Sequence, residues 1–85
     1  MPEVVIYSTP FCPYCLRAKL LLEKKNIPFK EIGIMGKPDK RKEMESLSGG
    51  FTVPQIIIDG TPIGGSDELV ELDKSGKLVS LLGIK

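Results

Sequence analysis

The sequence predicts an α/β fold in which one four-stranded mixed sheet carries helices on both faces, with the element order β-α-β-α-β-β-α. The first observation behind this prediction is a βαβ unit, in which an apolar, β-branched run is followed by a helical pattern and a second short strand pattern. Such a unit places its two strands in parallel and joins them by a right-handed crossover. The second observation is Asp59-Gly60, a hairpin signal between the last two strands. The hairpin adds two antiparallel strands to the same sheet.

The first strand and the first helix meet at the stretch that contains the cysteines. Residues 3–8, EVVIYS, form the first predicted strand, and Pro13 takes the first position of the helix, where a missing N–H is tolerated. Asn26 and Pro28 end this helix. The apolar stripe that is expected to face the core has four members: Leu16, Ala18, Leu20 and Leu21.

The remaining elements follow from turn signals and periodicity. Met44 and Leu47 are expected to face inward from the second helix, and Pro62 suits an edge strand because it cannot donate to a ladder. Ser66 is expected to cap the third helix, with Asp67 in its first turn. The predicted ranges are 29–34, 54–59 and 61–64 for strands two to four, 38–48 and 67–74 for helices two and three, and 77–84 for a last helical turn that docks on the sheet.

Length and composition fit one small domain that spans residues 1–85. The chain is 41% hydrophobic and 27% charged with a net charge of +1, so nothing indicates a nucleic acid or an anionic membrane as a partner. The N-terminal stretch lacks the basic region and apolar run of a signal peptide, and no window approaches a membrane span. We therefore expect a cytoplasmic protein in a reducing compartment, where a close cysteine pair is more often catalytic or metal-binding than a permanent staple.

The two cysteines of the chain, Cys12 and Cys15, form a C-x-x-C motif. A structural zinc site normally needs four ligands, and a chain with no histidine and two cysteines cannot complete one from thiolate and imidazole. The remaining alternatives are an iron–sulfur cluster shared between two chains, a structural disulfide or pair of inert thiols, and a redox-active dithiol. A C-x-x-C motif near a βαβ pattern in a cytosolic protein favours the redox dithiol, and no metal-binding residue is predicted.

The start of the first helix makes the two sulfur atoms unequal. Cys12 falls at the strand-to-helix junction, where free N–H groups and a partial positive charge favour the thiolate over the thiol. Cys15 lies one turn further in and is expected to be shielded. Within a regular helix, side chains at this spacing have Cβ atoms about 5–6 Å apart, whereas a disulfide needs about 3.5–4.5 Å. Cys12 must therefore be non-helical if the disulfide is to close.

Three motifs together resemble those of a dithiol glutaredoxin. They are CPYC at residues 12–15, TVPQI at 52–56 and GGSDEL at 64–69. The resemblance covers nearly the whole chain and implies a thioredoxin fold, with glutathione as co-substrate and no permanently bound cofactor. It also implies thiol–disulfide exchange, in which Cys12 attacks a protein disulfide or a glutathione mixed disulfide and Cys15 resolves the protein intermediate.

The resemblance further implies which residues bind glutathione. A cis peptide bond between Val53 and Pro54 would leave the Val53 backbone free to pair with the cysteinyl backbone of glutathione. Ser66 and Asp67 would take the γ-glutamyl end, because a helix N-terminus binds a carboxylate and an aspartate can hold an ammonium group. The alternative for Ser66 is an ordinary helix cap. Tyr14 is expected to pack along the rim of the active site, and the alternative is that it donates a proton.

The glycyl end of glutathione requires a cation, and here the sequence departs from the family. Thr9 stands where many glutaredoxins have a lysine, and Phe51 stands where many have a basic residue. Arg41 matches a position that often contacts the glycyl end, and its guanidinium could bind the carboxylate through two parallel hydrogen bonds. The alternative for Arg41 is a solvated surface arginine.

Two alternative functions stay open at this point. One is an electron carrier that is reduced by a flavoprotein reductase rather than by glutathione, and the other is a glutathione-ligated iron–sulfur cluster carrier formed by two chains. The glutathione-end motifs argue against the first, and the proline after Cys12 argues against the second because it stiffens the loop. The favoured interpretation is a monomer that acts with glutathione on protein disulfides or glutathionylated proteins, without nucleic acid or membrane as a partner.

Overall fold

The computed structural model describes residues 2–83, and these residues adopt the predicted thioredoxin fold. In chain order the elements are β1 (Val4–Ser8), α1 (Pro13–Lys24), β2 (Lys30–Gly33), α2 (Pro38–Ser48), β3 (Gln55–Ile58), β4 (Thr61–Gly64), α3 (Ser66–Lys74) and α4 (Lys77–Leu82). The sheet has the strand order β2-β1-β3-β4. Strand β1 is parallel to β2 and antiparallel to β3, and β3 is antiparallel to β4. Among residues 2–83, no helix is both long and apolar enough to cross a bilayer.

Alternation along β1 divides the core between the two faces of the sheet. Val4 and Ile6 belong to a cluster that includes side chains of α1, α3 and α4, whereas Tyr7 on the other face packs with Met44 of α2. Strand β3 repeats this division, because Ile56 and Ile58 face the first cluster and Ile57 faces the second. Both faces are thereby covered by helices, as the fold class requires.

The register of the strands brings four connecting segments to one edge of the sheet, the one at which β1 ends. Ser8, the last residue of β1, pairs with Gly33 at the end of β2. Tyr7 pairs with Gln55, so the antiparallel strand β3 begins where β1 ends. Ile56 pairs in turn with Gly64 at the end of β4. The segments that follow β1, follow β2, precede β3 and follow β4 therefore meet at the same edge.

The predicted hairpin is confirmed at residues 59 and 60. Asp59 has a φ of 51° and Gly60 a φ of 83°, so both central residues adopt the left-handed conformation of a type I′ turn. Strand β4 lies at the edge of the sheet, as was expected for a strand that contains Pro62. A proline has no N–H to donate to a neighbouring strand, and an edge strand tolerates that loss.

Two expectations about helix faces are wrong. Leu16 and Leu20 are 54% and 53% exposed, because the face of α1 that meets the sheet is formed by Cys15, Ala18 and Leu22. These three residues follow the i, i+3, i+7 spacing of one helical stripe. On α2, Met44 is buried as predicted. The prediction for Leu47 is wrong, since that side chain is 54% exposed and Met44 is the buried residue of α2.

The start of α3 also differs from the prediction. Ser66 is the first helical residue and Gly65 is the cap, because the Gly65 N–H donates to Glu68 Oε1 at 2.7 Å. The Glu68 carboxylate thus binds the N–H of the N-cap residue, and Ser66, which was expected to be the cap, lies one position inside the helix. The last helical turn is present as α4, and its Leu78 and Leu82 join the core cluster that includes the sheet. The predicted end of that turn, Ile84, lies outside the described residues.

Tyr7 ties β1 to α2. Its side chain is buried, and its hydroxyl donates to Glu43 Oε2 at 2.6 Å. Burial, followed by the hydrogen bond to Glu43, raises the pKa of Tyr7 from 10.0 to about 12. The folded state therefore favours the protonated phenol. The contribution of the Tyr7 hydroxyl to the free energy of unfolding is complete below a pH of about 10 and is lost as the pH rises toward about 12.

We predict that Tyr7→Phe lowers the free energy of unfolding by about 1–2 kcal/mol at neutral pH, because the Glu43 carboxylate loses a partly buried donor. The difference between wild type and variant should shrink as the pH rises from about 10 to about 12, where the wild-type phenol ionises. Urea titrations followed by circular dichroism at several pH values measure both effects. A difference that stays constant over this range would contradict the account.

Candidate active site

Cys12 occupies the N-cap position of α1, directly before Pro13. Its backbone is extended, with φ −107° and ψ 109°, as the geometry of a closing disulfide requires. Its Sγ accepts a hydrogen bond from the Cys15 N–H at 3.3 Å. This N–H is one of the helix N-terminal donors that have no intrahelical partner. The Cys12 sulfur thus lies at the positive end of the α1 dipole, next to the N–H groups of the first turn.

Cys15 lies in a different environment. Its side chain is only 1% exposed, whereas Cys12 is partly exposed, and both are free thiols. Burial, followed by the hydrogen bond with Cys12, raises the pKa of the Cys15 thiol to about 11, while the charge of Lys19 acts in the opposite direction. At neutral pH Cys15 therefore stays protonated until an electrophilic sulfur comes close to it. The expected inequality of the two sulfurs is present in the structure.

The Val53–Pro54 peptide bond is cis, as the family resemblance implies. The Val53 carbonyl oxygen lies 3.9 Å from Cys12 Sγ, within reach of a weak hydrogen bond from the thiol. Within residues 2–83, the Val53 N–H has no hydrogen-bond acceptor. A backbone with a free donor and a weakly held acceptor beside the reactive sulfur can pair with an extended peptide.

One groove collects five of the eight residues that the sequence predicts for the site. It has a volume of about 340 Å³. Tyr14, Thr52, Val53, Pro54, Gly65, Ser66, Asp67 and Glu68 line it. Two distant motifs of the sequence, TVPQI and GGSDEL, therefore share one concave surface next to the CPYC motif.

The polar end of this groove is the N-terminus of α3. Ser66 is 4% exposed, and its Oγ is buried without a hydrogen-bond partner. Asp67 is largely exposed and forms an ion pair with Arg17 of α1 at 3.3 Å. A buried hydroxyl without a partner is costly unless a ligand completes it. Together with the free N–H groups of the helix start, it offers a site for an anion.

Arg41 lies outside this groove. Its Nη2 donates to the Phe51 carbonyl oxygen at 2.7 Å, and its Nε pairs with Glu45 at 3.2 Å. Arg41 is thus neither free in solvent nor aimed into the groove. It holds the chain two residues before Val53 and thereby supports one wall of that groove.

A second groove, of about 400 Å³, contains Arg41 and a cation that the sequence prediction missed. This cation is Lys37, and it lines the same groove as Thr9, the position where a lysine was expected. The spacing along the chain could not reveal Lys37, because the β1 edge and the start of α2 meet only in the folded structure. The full lining is Thr9, Ile34, Met35, Gly36, Lys37, Pro38 and Arg41.

A third groove, of about 360 Å³, is lined by both cysteine residues and by Pro13 of the CPYC motif. It contains Phe11, which is 96% exposed and has a φ of 65°, so an aromatic side chain is held out into solvent by a strained backbone. Lys19 lines the same groove. Sequence analysis assigned no role to either residue, although Lys19 follows Cys15 at the spacing of one helical turn.

The arrangement suits thiol–disulfide exchange. An accessible sulfur at a helix start can attack, a buried neighbour can displace the attacked partner, and adjacent grooves can hold the molecules that carry the other sulfurs. Residues 2–83 contain no group of three or more His, Cys, Asp or Glu side chains placed to hold a metal ion.

Known proteins are similar in sequence to this chain along nearly its whole length. The family model described as Glutaredoxin matches residues 4–63. Glutaredoxin of Pseudomonas aeruginosa is 52% identical over 82 residues, which is 96% of this chain and 98% of the relative. Glutaredoxin 3 of Escherichia coli strain K12 is 51% identical over 82 residues, or 96% of this chain and 99% of the relative.

The fold is shared as well. The crystal structure of a buckwheat glutaredoxin–glutathione complex superposes with a TM-score of 0.86 at 30% sequence identity, covering 96% of this chain and 77% of the buckwheat chain. Similarity in sequence and in structure thus points to the same family that the three motifs indicate.

Proposed function

The chain belongs to the glutaredoxin family of thiol–disulfide oxidoreductases, and we propose that it depends on glutathione for its reaction. In this proposal Cys12 is the nucleophile, Cys15 is the resolving thiol, and glutathione binds along the groove between Val53 and the start of α3. The protein acts as one domain and as a monomer in the cytoplasm, on protein disulfides and glutathionylated proteins.

The observation that carries the proposal is the buried Ser66 hydroxyl without a partner at the N-terminus of α3. Glutathione presents a carboxylate and an ammonium group on one carbon at its γ-glutamyl end. The carboxylate would accept hydrogen bonds from Ser66 Oγ and from the first N–H groups of the helix. The exposed Asp67 would hold the ammonium group, exchanging part of its ion pair with Arg17 for this contact.

The middle of glutathione would pair with Val53. The free Val53 N–H and its carbonyl can make the two hydrogen bonds of a short antiparallel strand with the cysteinyl residue. That pairing brings the glutathione sulfur toward Cys12, since the Val53 oxygen lies 3.9 Å from Cys12 Sγ. Tyr14 borders the same groove and would cover the disulfide bond between Cys12 and glutathione.

The glycyl carboxylate would lie toward the second groove. The chain from Phe51 to Val53 runs between the two grooves, because Arg41 holds the Phe51 carbonyl and Val53 lines the first groove. Arg41 and Lys37 would then supply the positive charge that Thr9 and Phe51 lack.

The reaction follows from the unequal sulfurs. The Cys12 thiolate attacks one sulfur of a substrate disulfide, so a new disulfide forms at Cys12 and the other substrate sulfur leaves with the electron pair of the broken bond. With a protein disulfide, Cys15 displaces the protein and leaves a Cys12–Cys15 disulfide. Two molecules of glutathione then restore the dithiol, through a mixed disulfide at Cys12, and are released as oxidised glutathione.

Single cysteine variants separate the two roles. We predict that Cys12→Ser loses all activity on a glutathionylated substrate, because no accessible nucleophile remains. Cys15→Ser should keep most of that activity but lose the reduction of protein disulfides. A glutathione-coupled assay with each substrate measures both. Full activity of Cys12→Ser on the glutathionylated substrate would overturn the assignment.

The second test concerns Ser66. We predict that Ser66→Ala raises the KM for a glutathione mixed disulfide about tenfold, because a hydrogen bond to a charged group is lost. Its melting temperature should stay equal or rise, since the variant removes a buried hydroxyl that has no partner in the free protein. Ser75→Ala, at the exposed end of the same helix, is the matched control. An unchanged KM in Ser66→Ala would contradict the proposed site.

The third test concerns the cations. Lys37→Gln should raise the KM for the glutathione mixed disulfide about twofold to fivefold at low salt, and the effect should shrink as salt screens the charge. Arg41→Gln should have a larger effect, because it also frees the Phe51 carbonyl. Lys42→Gln, an exposed lysine on the same helix, is the control for net charge. Equal effects of Lys37→Gln and Lys42→Gln would refute a specific glycyl site.

A further inference from the structure

Lys19 lies close behind the buried cysteine. It follows Cys15 by four residues on α1, so the two side chains share one helix face. Lys19 also lines the third groove, together with both sulfur-bearing residues. Its side chain is only 27% exposed, although lysine is normally a solvated residue.

Two strands of the sheet hold the Lys19 ammonium group in place. Glu31 of β2 accepts from Lys19 Nζ at 2.9 Å through its Oε2. The same oxygen accepts from the hydroxyl of Ser8, the buried last residue of β1, at 2.6 Å. The two strands are neighbours in the sheet, so the carboxylate has a fixed position. A lysine whose carboxylate partner is itself bound by a buried serine is not an ordinary solvated side chain.

The buried thiol needs a nearby positive charge. Cys15 must react as a thiolate, yet burial and Cys12 together raise its pKa to about 11. The Thr9 backbone and the charge of Lys19 both lower the pKa of Cys15, with Thr9 the larger of the two, whereas the charge of Cys12 raises it. The hydrogen bond from Lys19 to Glu31 raises the pKa of Lys19, and the charges of Glu31 and Glu23 raise it further.

We propose that Lys19 is a positioning residue for the resolving step, whose ammonium group, oriented by Glu31 and Ser8, stabilises the negative charge that forms on Cys15 Sγ. In that step Cys15 Sγ bonds to Cys12 Sγ, the bond from Cys12 to the substrate sulfur breaks, and the electron pair leaves with the substrate. The proton lost by Cys15 ends, through solvent, on the released substrate thiol. Lys19 stays protonated throughout. The inference rests on the proposed resolving role of Cys15.

Stopped-flow reaction of the reduced protein with one equivalent of a chromogenic aromatic disulfide tests this directly. Attack by Cys12 releases the first coloured thiolate, and closure by Cys15 releases the second, so the two steps appear as two phases. Lys19→Met should slow the second phase about threefold to tenfold and change the first phase much less. The pH profile of the second phase should move to higher pH, and high salt should reduce the difference from wild type.

A matched variant separates charge from structure. Glu31→Gln removes the negative charge of the same ion pair but keeps a side-chain oxygen that can accept from Lys19 Nζ, so the ammonium group stays oriented beside Cys15 without a counterion. It should therefore accelerate the second phase, whereas a purely structural role of the pair predicts that both variants slow it. Lys19→Arg should restore most of the wild-type rate. Lys24→Met, an exposed lysine on the same helix, is the control for loss of net charge.

The outcomes are distinct. Equal slowing by Lys19→Met and Glu31→Gln, slowing of both phases alike, or an unshifted pH profile would overturn the role of Lys19. If Lys19→Met does not fold, the sign of the Glu31→Gln effect still decides the question. A wild-type protein without any second phase would instead refute the resolving role of Cys15, and the inference with it.

Discussion

The pairing of β1 with strands on both sides is the constraint on which the rest of the structure depends. Its parallel register with β2 and its antiparallel register with β3 fix one edge of the sheet, where Ser8 ends β1 and Gln55 begins β3. The chain segment with Cys12 leaves that edge and the segment with Val53 arrives at it. Because every side chain of a strand alternates between faces, a shift of one residue would bury the wrong face and separate these segments. Core packing and site geometry are therefore set by the same register.

The unequal reactivity of the two sulfurs is a further consequence. The short connection after β1 ends at Cys12, so the helix starts at the sulfur and offers it the Cys15 N–H. The helix then turns Cys15 toward the sheet, beside Ala18 and Leu22, where desolvation keeps the thiol protonated. One element thus produces an accessible attacking sulfur and a buried second one. Lys19, paired with Glu31, lies on the same helix face as Cys15 and stabilises the negative charge that forms on the Cys15 sulfur.

Much of the fold follows from local signals, and the errors have physical reasons. Asp59-Gly60 and Pro13 act through backbone preferences that do not depend on distant residues, and both predictions are confirmed. The predicted core stripe of α1 is right at Ala18 but fails at Leu16 and Leu20, because Cys15, a smaller residue outside that stripe, takes the face toward the sheet.

In the candidate site, too, residues within local motifs could be predicted from the sequence, whereas contacts between distant segments could not. Motifs gave five of the groove residues, since each motif carries its own backbone geometry. Capping by Glu68 left Ser66 without a partner, and Lys37 comes beside Thr9 only through folding. The spacing of Gly65 and Glu68 is that of a capping box, but Lys37 leaves no such trace in the sequence. Both concern the charged ends of the proposed ligand, where the sequence was least informative.

The central claim is that glutathione lies between the start of α3 and Cys12. Amide chemical shifts of the Cys15→Ser variant, compared before and after glutathione is joined to Cys12, test it most directly. The account predicts that the largest changes outside the CPYC motif occur at Val53, Ser66 and Asp67. Changes confined to the third groove, at Phe11 and its neighbours, with Ser66 and Asp67 unaffected, would contradict it.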